Sequence, residues 1–324
     1  MNDTSPIFPV TISEKLDWLA QRYLRFGQDE TLSDYLYDLF DVDDEGQMTA
    51  QPRRDPLTGE TKGLMVLGGS GNGKTALLER TLRKSPVLTE FKREEGGNTL
   101  YITVPPEATV KKLAEIILER TGYEKLDSKL RAADAWEMAR HRFGVVGIKA
   151  VVIDECHHIL RAGQGRDVLA AIQSLKHIMQ SDPGVALIIA GVPSLRDDIL
   201  KESSAETYRR FREFHLPNIR PDSRPADLFG KNFMKFAEDL GVMVQAEDAF
   251  AERILYAAHG QIGRSVELSK EILRDAVRRK HAALSLEYAE QVFRKINGDA
   301  ALTPFHLDDW SSVKRELKAI GWEL

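Results

Sequence analysis

This 324-residue chain contains one cysteine, Cys156, so no disulfide can form within it. A single thiol fits a reducing, cytoplasmic setting and leaves stability to packing. Long hydrophobic runs are absent: nothing approaches the roughly 20 apolar residues of a membrane-spanning helix. The start, MNDTSPIFPV, lacks the pattern of a secretory leader. The expectation is a protein with no membrane contact. An excess of positive charge is missing too, since the net charge is −5. That excludes a surface uniformly coated for nucleic acid. The balance is uneven, however: residues 1–62 carry 6 Lys/Arg against 13 Asp/Glu, and residues 63–324 come to +2. Any nucleic-acid contact must therefore be a local patch or a product of assembly.

What is present is more specific. An apolar stretch, Leu64 to Leu67, enters a turn with glycines at 68, 69, 71 and 73, followed by Lys74, Thr75 and a helix-forming Ala-Leu-Leu. This is G-x-x-x-x-G-K-T between a strand and a helix, the context that makes the pattern a phosphate-binding expectation. Glycines let backbone amides turn inward around a polyphosphate, and the helix N-terminus adds positive potential. Residues Gly68, Gly69, Ser70, Gly71, Asn72, Gly73, Lys74, Thr75 and Ala76 are the expected ATP-binding set. Lys74 is placed to reach the β- and γ-phosphates and Thr75 to sit on Mg²⁺.

Ala150-Val-Val-Ile153 runs into Asp154-Glu155. A continuous apolar run reads as a parallel strand covered on both faces. An acidic pair at its carboxyl end is expected beside the phosphate loop of the first strand, where open α/β sheets bind ligands. Asp154 is the expected Mg²⁺ residue and Glu155 the group that polarises the attacking water. Cys156, His157 and His158 follow directly, and three adjacent residues do not easily converge on one ion. They read as packing and loop residues.

Apolar strand candidates recur at 64–67, 99–104, 150–153, 185–190 and 213–216, with helices expected at 75–84, 108–120, 128–142, 167–180 and 195–210. Alternation of this kind means an α/β fold, a doubly wound parallel five-stranded sheet with helices on both faces. The first 40 residues read as helical, and residues 41–62, rich in Asp, Gly and Pro, as a loop. Beyond Pro217–Pro225 the pattern is helical at 226–240, 247–258, 263–281 and 285–296. The expected organisation is an N-terminal extension at 1–62, a P-loop ATPase core at 63–221, a helical lid at 222–298 and a tail at 299–324. The tail carries an amphipathic piece around Trp310, and both it and the acidic N-terminal region offer docking surfaces.

Three further features narrow the class. Tyr208-Arg-Arg-Phe211 places arginines before a short strand, where one could reach a neighbouring subunit's γ-phosphate. Arg210 is the first candidate, with Arg209 and Arg212 as alternates. Gly263-Arg264, at a helix start, resembles the second sensor of AAA+ proteins, in which an arginine contacts nucleotide phosphate. Where many AAA+ proteins place a polar first sensor, this chain has Val192, with Ser194 nearby, which fits slow hydrolysis.

Together, Ile153-Asp-Glu-Cys-His-His-Ile-Leu160, Leu175-Lys-His-Ile178, the strand into Ala190-Gly191, Tyr208-Arg-Arg-Phe211 and Leu216-Pro217 resemble the TniB/TnsC family of AAA+ transposition regulators. The likeness spans about residues 60–270. The family has His-Asn after the acidic pair, whereas this chain has His157-His158. The resemblance implies an ATP-dependent homo-oligomer, a ring or helical filament, on double-stranded DNA. It also implies recruitment of a transposase and a TniQ-type targeting protein, with ATP hydrolysis controlling disassembly.

For contacts to DNA phosphate, Thr109, Lys111 and Lys112 are the candidates, at a helix start after the second strand, with a solvated helix face as the competing reading. Arg278, Arg279 and Lys280 form a sharper charge cluster that can equally face solvent or a neighbouring subunit. The alternative function is an AAA+ ATPase acting on a protein partner without DNA. A small-molecule kinase using the same loop is a weaker third, opposed by the trans arginine and the helical lid.

Overall fold

The computed structural model describes residues 11–322 apart from 25, 124–125, 128, 163–165, 181, 203 and 246–248. In chain order the elements are α1 (Ile12–Gln21), α2 (Gln28–Tyr37), β1 (Phe40–Val42), β2 (Met48–Pro52), β3 (Gly63–Gly68), α3 (Lys74–Lys84), β4 (Thr99–Thr103), α4 (Val110–Arg120), α5 (Ala132–Val146) and β5 (Ala150–Asp154). Then follow α6 (His157–Ala162), α7 (Arg166–Gln180), β6 (Ala186–Gly191), α8 (Ser194–Ile199), a 3₁₀ turn (Tyr208–Arg210), β7 (Phe211–Leu216), α9 (Arg224–Asp239), α10 (Phe250–Ala257), α11 (Ile262–Arg279), α12 (Leu286–Asn297) and α13 (Trp310–Ala319). Two compact units result. One comprises residues 28–70 and 74–216; the other comprises the residues up to Gly27, residues 71–73 and everything from Pro217 onward.

The first unit is built on a five-stranded sheet in the order β4-β5-β6-β3-β7, every neighbouring pair parallel. β3, β5 and β6 are buried along their whole length, which is why they read as unbroken apolar runs. On one face Met65, Leu67, Ile102 and Ile153 share a cluster with Leu113 and Ile117 of α4, Trp136 and Phe143 of α5, and Ile172 and Leu175 of α7. β7, at the edge, mixes buried Phe211, Phe214 and Leu216 with exposed Arg212 and His215. The five-stranded parallel sheet expected from the sequence is the one observed.

Two local features differ from expectation, and the strand order adds a third detail. β6 inserts between β5 and β3, yet Asp154 still ends beside the phosphate loop, within hydrogen-bond reach of Thr75. A crossover helix can return a strand to either side, so apolar runs alone cannot order a parallel sheet. Residues 40–52 form a small antiparallel pair, β1 with β2, rather than loop. Finally, no single helix spans 195–210: α8 stops at Ile199 and the 3₁₀ turn begins only at Tyr208. Buried Glu202 redirects the chain by accepting hydrogen bonds from the Thr207 N–H (2.7 Å) and from Gln173 Nε2 (2.8 Å).

The second unit is helical. α9 starts where Ser223 accepts from the Ala226 N–H, with proline in its first turn, a combination that favours a helix start. Its apolar face stacks Phe229 on Phe26 (ring centroids 6.0 Å apart) and sets Phe236 edge-on to Trp18 (5.5 Å). The tail docks here through Arg253, 2% exposed, which donates to the carbonyls of Pro304 (2.7 Å), His306 (2.9 Å) and Asp308 (3.1 Å). Trp310, Val313 and Leu317 pack with Tyr256, so these positions of the tail's apolar stripe are covered by its own unit, while Ile320 stays exposed.

Candidate active site

β3 delivers the chain to Gly68, and α3 begins at Lys74. Between them Gly71 (φ +83°) and Gly73 (φ +78°) occupy the left-handed region that glycine enters without steric cost. Ser70, Thr75 and Ala76 are exposed, while Asn72 is buried and donates to Asn218 Oδ1 (3.2 Å). Lys74 is 5% exposed, and its Nζ donates to the carbonyls of Gly68 (3.0 Å) and Gly69 (3.2 Å). Burial lowers its ammonium pKa, and the negative charges of Glu155 and Asp154 oppose that shift. A phosphate would offer this buried cation a stronger, charged acceptor than loop carbonyls.

Asp154, fully buried at the end of β5, is the hub of the site. Its Oδ2 accepts from Thr75 Oγ1 (2.5 Å) and Tyr101 Oη (2.9 Å), and its Oδ1 accepts from the Glu155 N–H (2.8 Å). A hydroxyl and a carboxylate oxygen this close are the hard oxygen donors that Mg²⁺ prefers, so these residues fit that ion. Tyr101 was not singled out from the sequence. Burial, reinforced by Asp154, raises its hydroxyl pKa far above the usual tyrosine value, so it remains a donor. Its signal was a polar-tipped ring between the apolar Leu100 and Ile102 of β4, since a buried tyrosine hydroxyl needs a partner.

Glu155 leaves the strand with φ +55°. Its side chain, about one-third exposed, brings Oε2 to 3.3 Å from His157 Nδ1. Cys156 points into the core, where burial pushes its thiol up to about 12.

The three arginines near 210 separate clearly. Arg210 is held within its own chain: Nε and Nη2 donate to Glu60 Oε2 (2.9 Å) and Oε1 (2.6 Å), and Nη1 donates to the Glu206 carbonyl (3.1 Å). Arg212 pairs with Asp38. Arg209 is exposed and makes no ion pair among the described residues. The expectation that Arg210 is free to reach a neighbour therefore does not match this arrangement. Glu60 sits on a loop anchored by Thr61 Oγ1, which donates to the Val185 carbonyl (2.6 Å), and that anchoring brings the carboxylate to Arg210.

In the helical unit, the Arg264 N–H donates to the Gly71 carbonyl (3.1 Å). A β-carbon on Gly263 would stand 2.4 Å from that carbonyl oxygen, so only glycine permits this approach. The Arg264 side chain lies along Gly71. Val192 follows the end of β6, and Ser194 opens α8. Thr109 caps α4 by accepting from the Lys112 N–H (3.1 Å). Lys111 and Lys112 face Glu115 at 3.6 Å, and Lys112 also faces Glu119 at 3.7 Å. Arg278 and Arg279 both pair with Asp275 (2.7 and 3.0 Å). Among the described residues no helix is long and apolar enough to cross a membrane.

Solved structures with the same fold include Pyrobaculum aerophilum Cdc6p (13% identity, TM-score 0.60, covering 86% of this chain and 70% of that one). The Aeropyrum pernix ORC1 protein in complex with DNA (15%, 0.57, 87% and 68%) and the ORC2 protein of the same organism in its ADP form (15%, 0.54, 94% and 89%) are also similar. No curated protein matches the chain. The parallel sheet, its phosphate loop and the C-terminal helices define an AAA+ ATPase, a nucleotide-binding enzyme. The family described as "Bacterial TniB protein" matches residues 19–221, and the chain belongs to that family.

Proposed function

We propose that this TniB-family ATPase is an ATP-dependent regulator of DNA transposition that oligomerises on double-stranded target DNA and recruits a transposase and a TniQ-type targeting protein. The observation that carries the reading is the convergence of Lys74, Thr75 and Asp154 within a chain of this family. Lys74 and the amides of residues 68–76 hold the β- and γ-phosphates of ATP. Thr75 and Asp154 hold Mg²⁺, which neutralises phosphate charge when bound. Glu155 polarises the attacking water, and Arg264 contacts phosphate from the lid. Arg209 takes the trans role expected of Arg210, because it is exposed and makes no ion pair among the described residues, while the Arg210–Glu60 pair fixes the turn that carries it. Val192 at the first-sensor position fits slow turnover, stimulated by assembly. The proposed division of labour is an extension (1–62), an ATPase core (63–221), a lid (222–298) and a tail (299–324).

DNA contact through Thr109, Lys111 and Lys112 would be made to phosphates and be indifferent to sequence. The DNA complex of the ORC1 fold neighbour is compatible with this reading. Purified protein, duplex DNA and a non-hydrolysable ATP analogue should give rings or filaments in the electron microscope, with binding that weakens steeply as salt rises. Absence of nucleotide-dependent DNA binding at low salt, with ATPase rates unaffected by duplex, would instead favour an ATPase acting on a protein partner.

A further inference from the structure

Three side chains that follow the core strand β5 come together in a way their sequence spacing does not announce. Glu155 has φ +55°, which turns the chain back on itself before α6 begins at His157. As a result Glu155 Oε2 lies 3.3 Å from His157 Nδ1. The rings of His157 and His158 lie against each other, with centroids 4.3 Å apart and planes tilted by 39°. One ligand atom from each of Glu155, His157 and His158 lies within 4.8 Å of the other two. Cys156, between them in sequence, is buried in the core and takes no part. The sequence reading set Cys156, His157 and His158 aside as packing and loop residues; the structure leaves Cys156 in the core and brings Glu155 to the two histidines through its left-handed backbone.

We propose that Glu155, His157 and His158 form a transition-metal site of the Zn²⁺ class that stops ATP hydrolysis by taking the general base. Zinc bonds imidazole nitrogen and carboxylate oxygen at about 2.0–2.2 Å in a tetrahedron, which places neighbouring ligands about 3.3 Å apart. The Glu155–His157 pair already has that separation. The third ligand reaches it by side-chain rotation at His158, which is only half-buried. Water completes the shell. His157 is 5% exposed, held against Gly191, whose missing β-carbon would stand 3.3 Å from Nδ1. Two ions are sorted by ligand chemistry: Mg²⁺ takes the oxygen pair of Thr75 and Asp154, whereas imidazoles favour zinc, cobalt or nickel. With its carboxylate bonded to metal, Glu155 cannot accept a proton from water. The inhibitory consequence rests on the proposed role of Glu155 as base; the site itself does not.

The test uses the full chain. Zn²⁺ is titrated in competition with a chromophoric chelator, and Co²⁺ binding is followed by visible absorption, without nucleotide. One metal per chain is expected, and His158→Ala should weaken binding at least about 10-fold. His157→Ala should do the same, with circular dichroism confirming that the variant folds. ATPase at fixed Mg²⁺ should fall as Zn²⁺ reaches one equivalent and recover on chelation, while His158→Ala should need at least about 10-fold more Zn²⁺ for the same loss. Absence of stoichiometric binding, or binding indifferent to His158→Ala, overturns the site. Binding there with undiminished ATPase overturns the inhibition. A Glu155→Gln protein that still hydrolyses ATP overturns the base assignment alone, because the metal titration is read independently.

Discussion

Arg210 and Glu60 grip each other through two hydrogen bonds, Nε to Oε2 at 2.9 Å and Nη2 to Oε1 at 2.6 Å, with side chains only 14% and 21% exposed. Removing one partner leaves a largely buried charge without its mate. Glu60→Ala and Arg210→Ala should each lower stability by about 2–3 kcal/mol, and the double mutant should cost little more than either alone. Urea denaturation of the four proteins measures this. The hydrogen bond from Arg210 holds the Glu60 carboxyl below its usual value of 4.5. A lowered folded pKa means that the pair's stabilisation is fully present above the ordinary value and fades as pH falls through the folded one. Wild type should therefore lose more stability than Glu60→Gln as pH falls below the ordinary carboxyl value of 4.5.

Arg209→Ala should leave nucleotide affinity and melting temperature as in wild type but reduce hydrolysis in assemblies by about 100-fold or more, the scale of a trans-acting arginine. An undiminished rate in DNA-bound assemblies would exclude the residue.

Lys74→Ala removes the buried ammonium from the phosphate loop and should abolish measurable ATP binding. Glu155→Gln should bind ATP normally and turn it over at least about 100-fold more slowly, accumulating assemblies that sedimentation detects.

Tyr101→Phe deletes one of the two donors to Asp154 Oδ2 while keeping the ring. Loss of a single hydrogen bond should cost about 1 kcal/mol. The sensitive readout is the Mg²⁺ concentration at half-maximal ATPase, which should rise several-fold with little change in the maximal rate. An unaltered Mg²⁺ dependence would show that Tyr101 supports the strand alone.

Gly263→Ala would drive a β-carbon to 2.4 Å from the Gly71 carbonyl oxygen and 3.0 Å from the Gly73 nitrogen. Backbone on both sides leaves no flexible side chain to yield. We expect about 1–3 kcal/mol of destabilisation, as for overpacked sites, and weakened binding of a fluorescent ATP analogue.

Much of the molecule was legible before folding because the relevant information is local. Lys74 and Thr75 lie within one strand–turn–helix, where glycine placement and residue type already specify a phosphate loop. Asp154 and Glu155 end an apolar run whose length and composition declare a buried strand. The family-like runs from Ile153 to Leu160 and from Tyr208 to Phe211 are likewise contiguous. The tertiary structure decided whatever depends on partners far apart along the chain. It placed β6 between β5 and β3, set Tyr101 on Asp154, and turned Arg210 toward Glu60 while leaving Arg209 exposed. It also folded Glu155 back onto two histidines through one left-handed residue. The physical reason is common to all of these: spacing and periodicity report which face of its own element a side chain occupies, whereas its hydrogen-bond or ion-pair partner is chosen by how strands and loops distant in sequence pack.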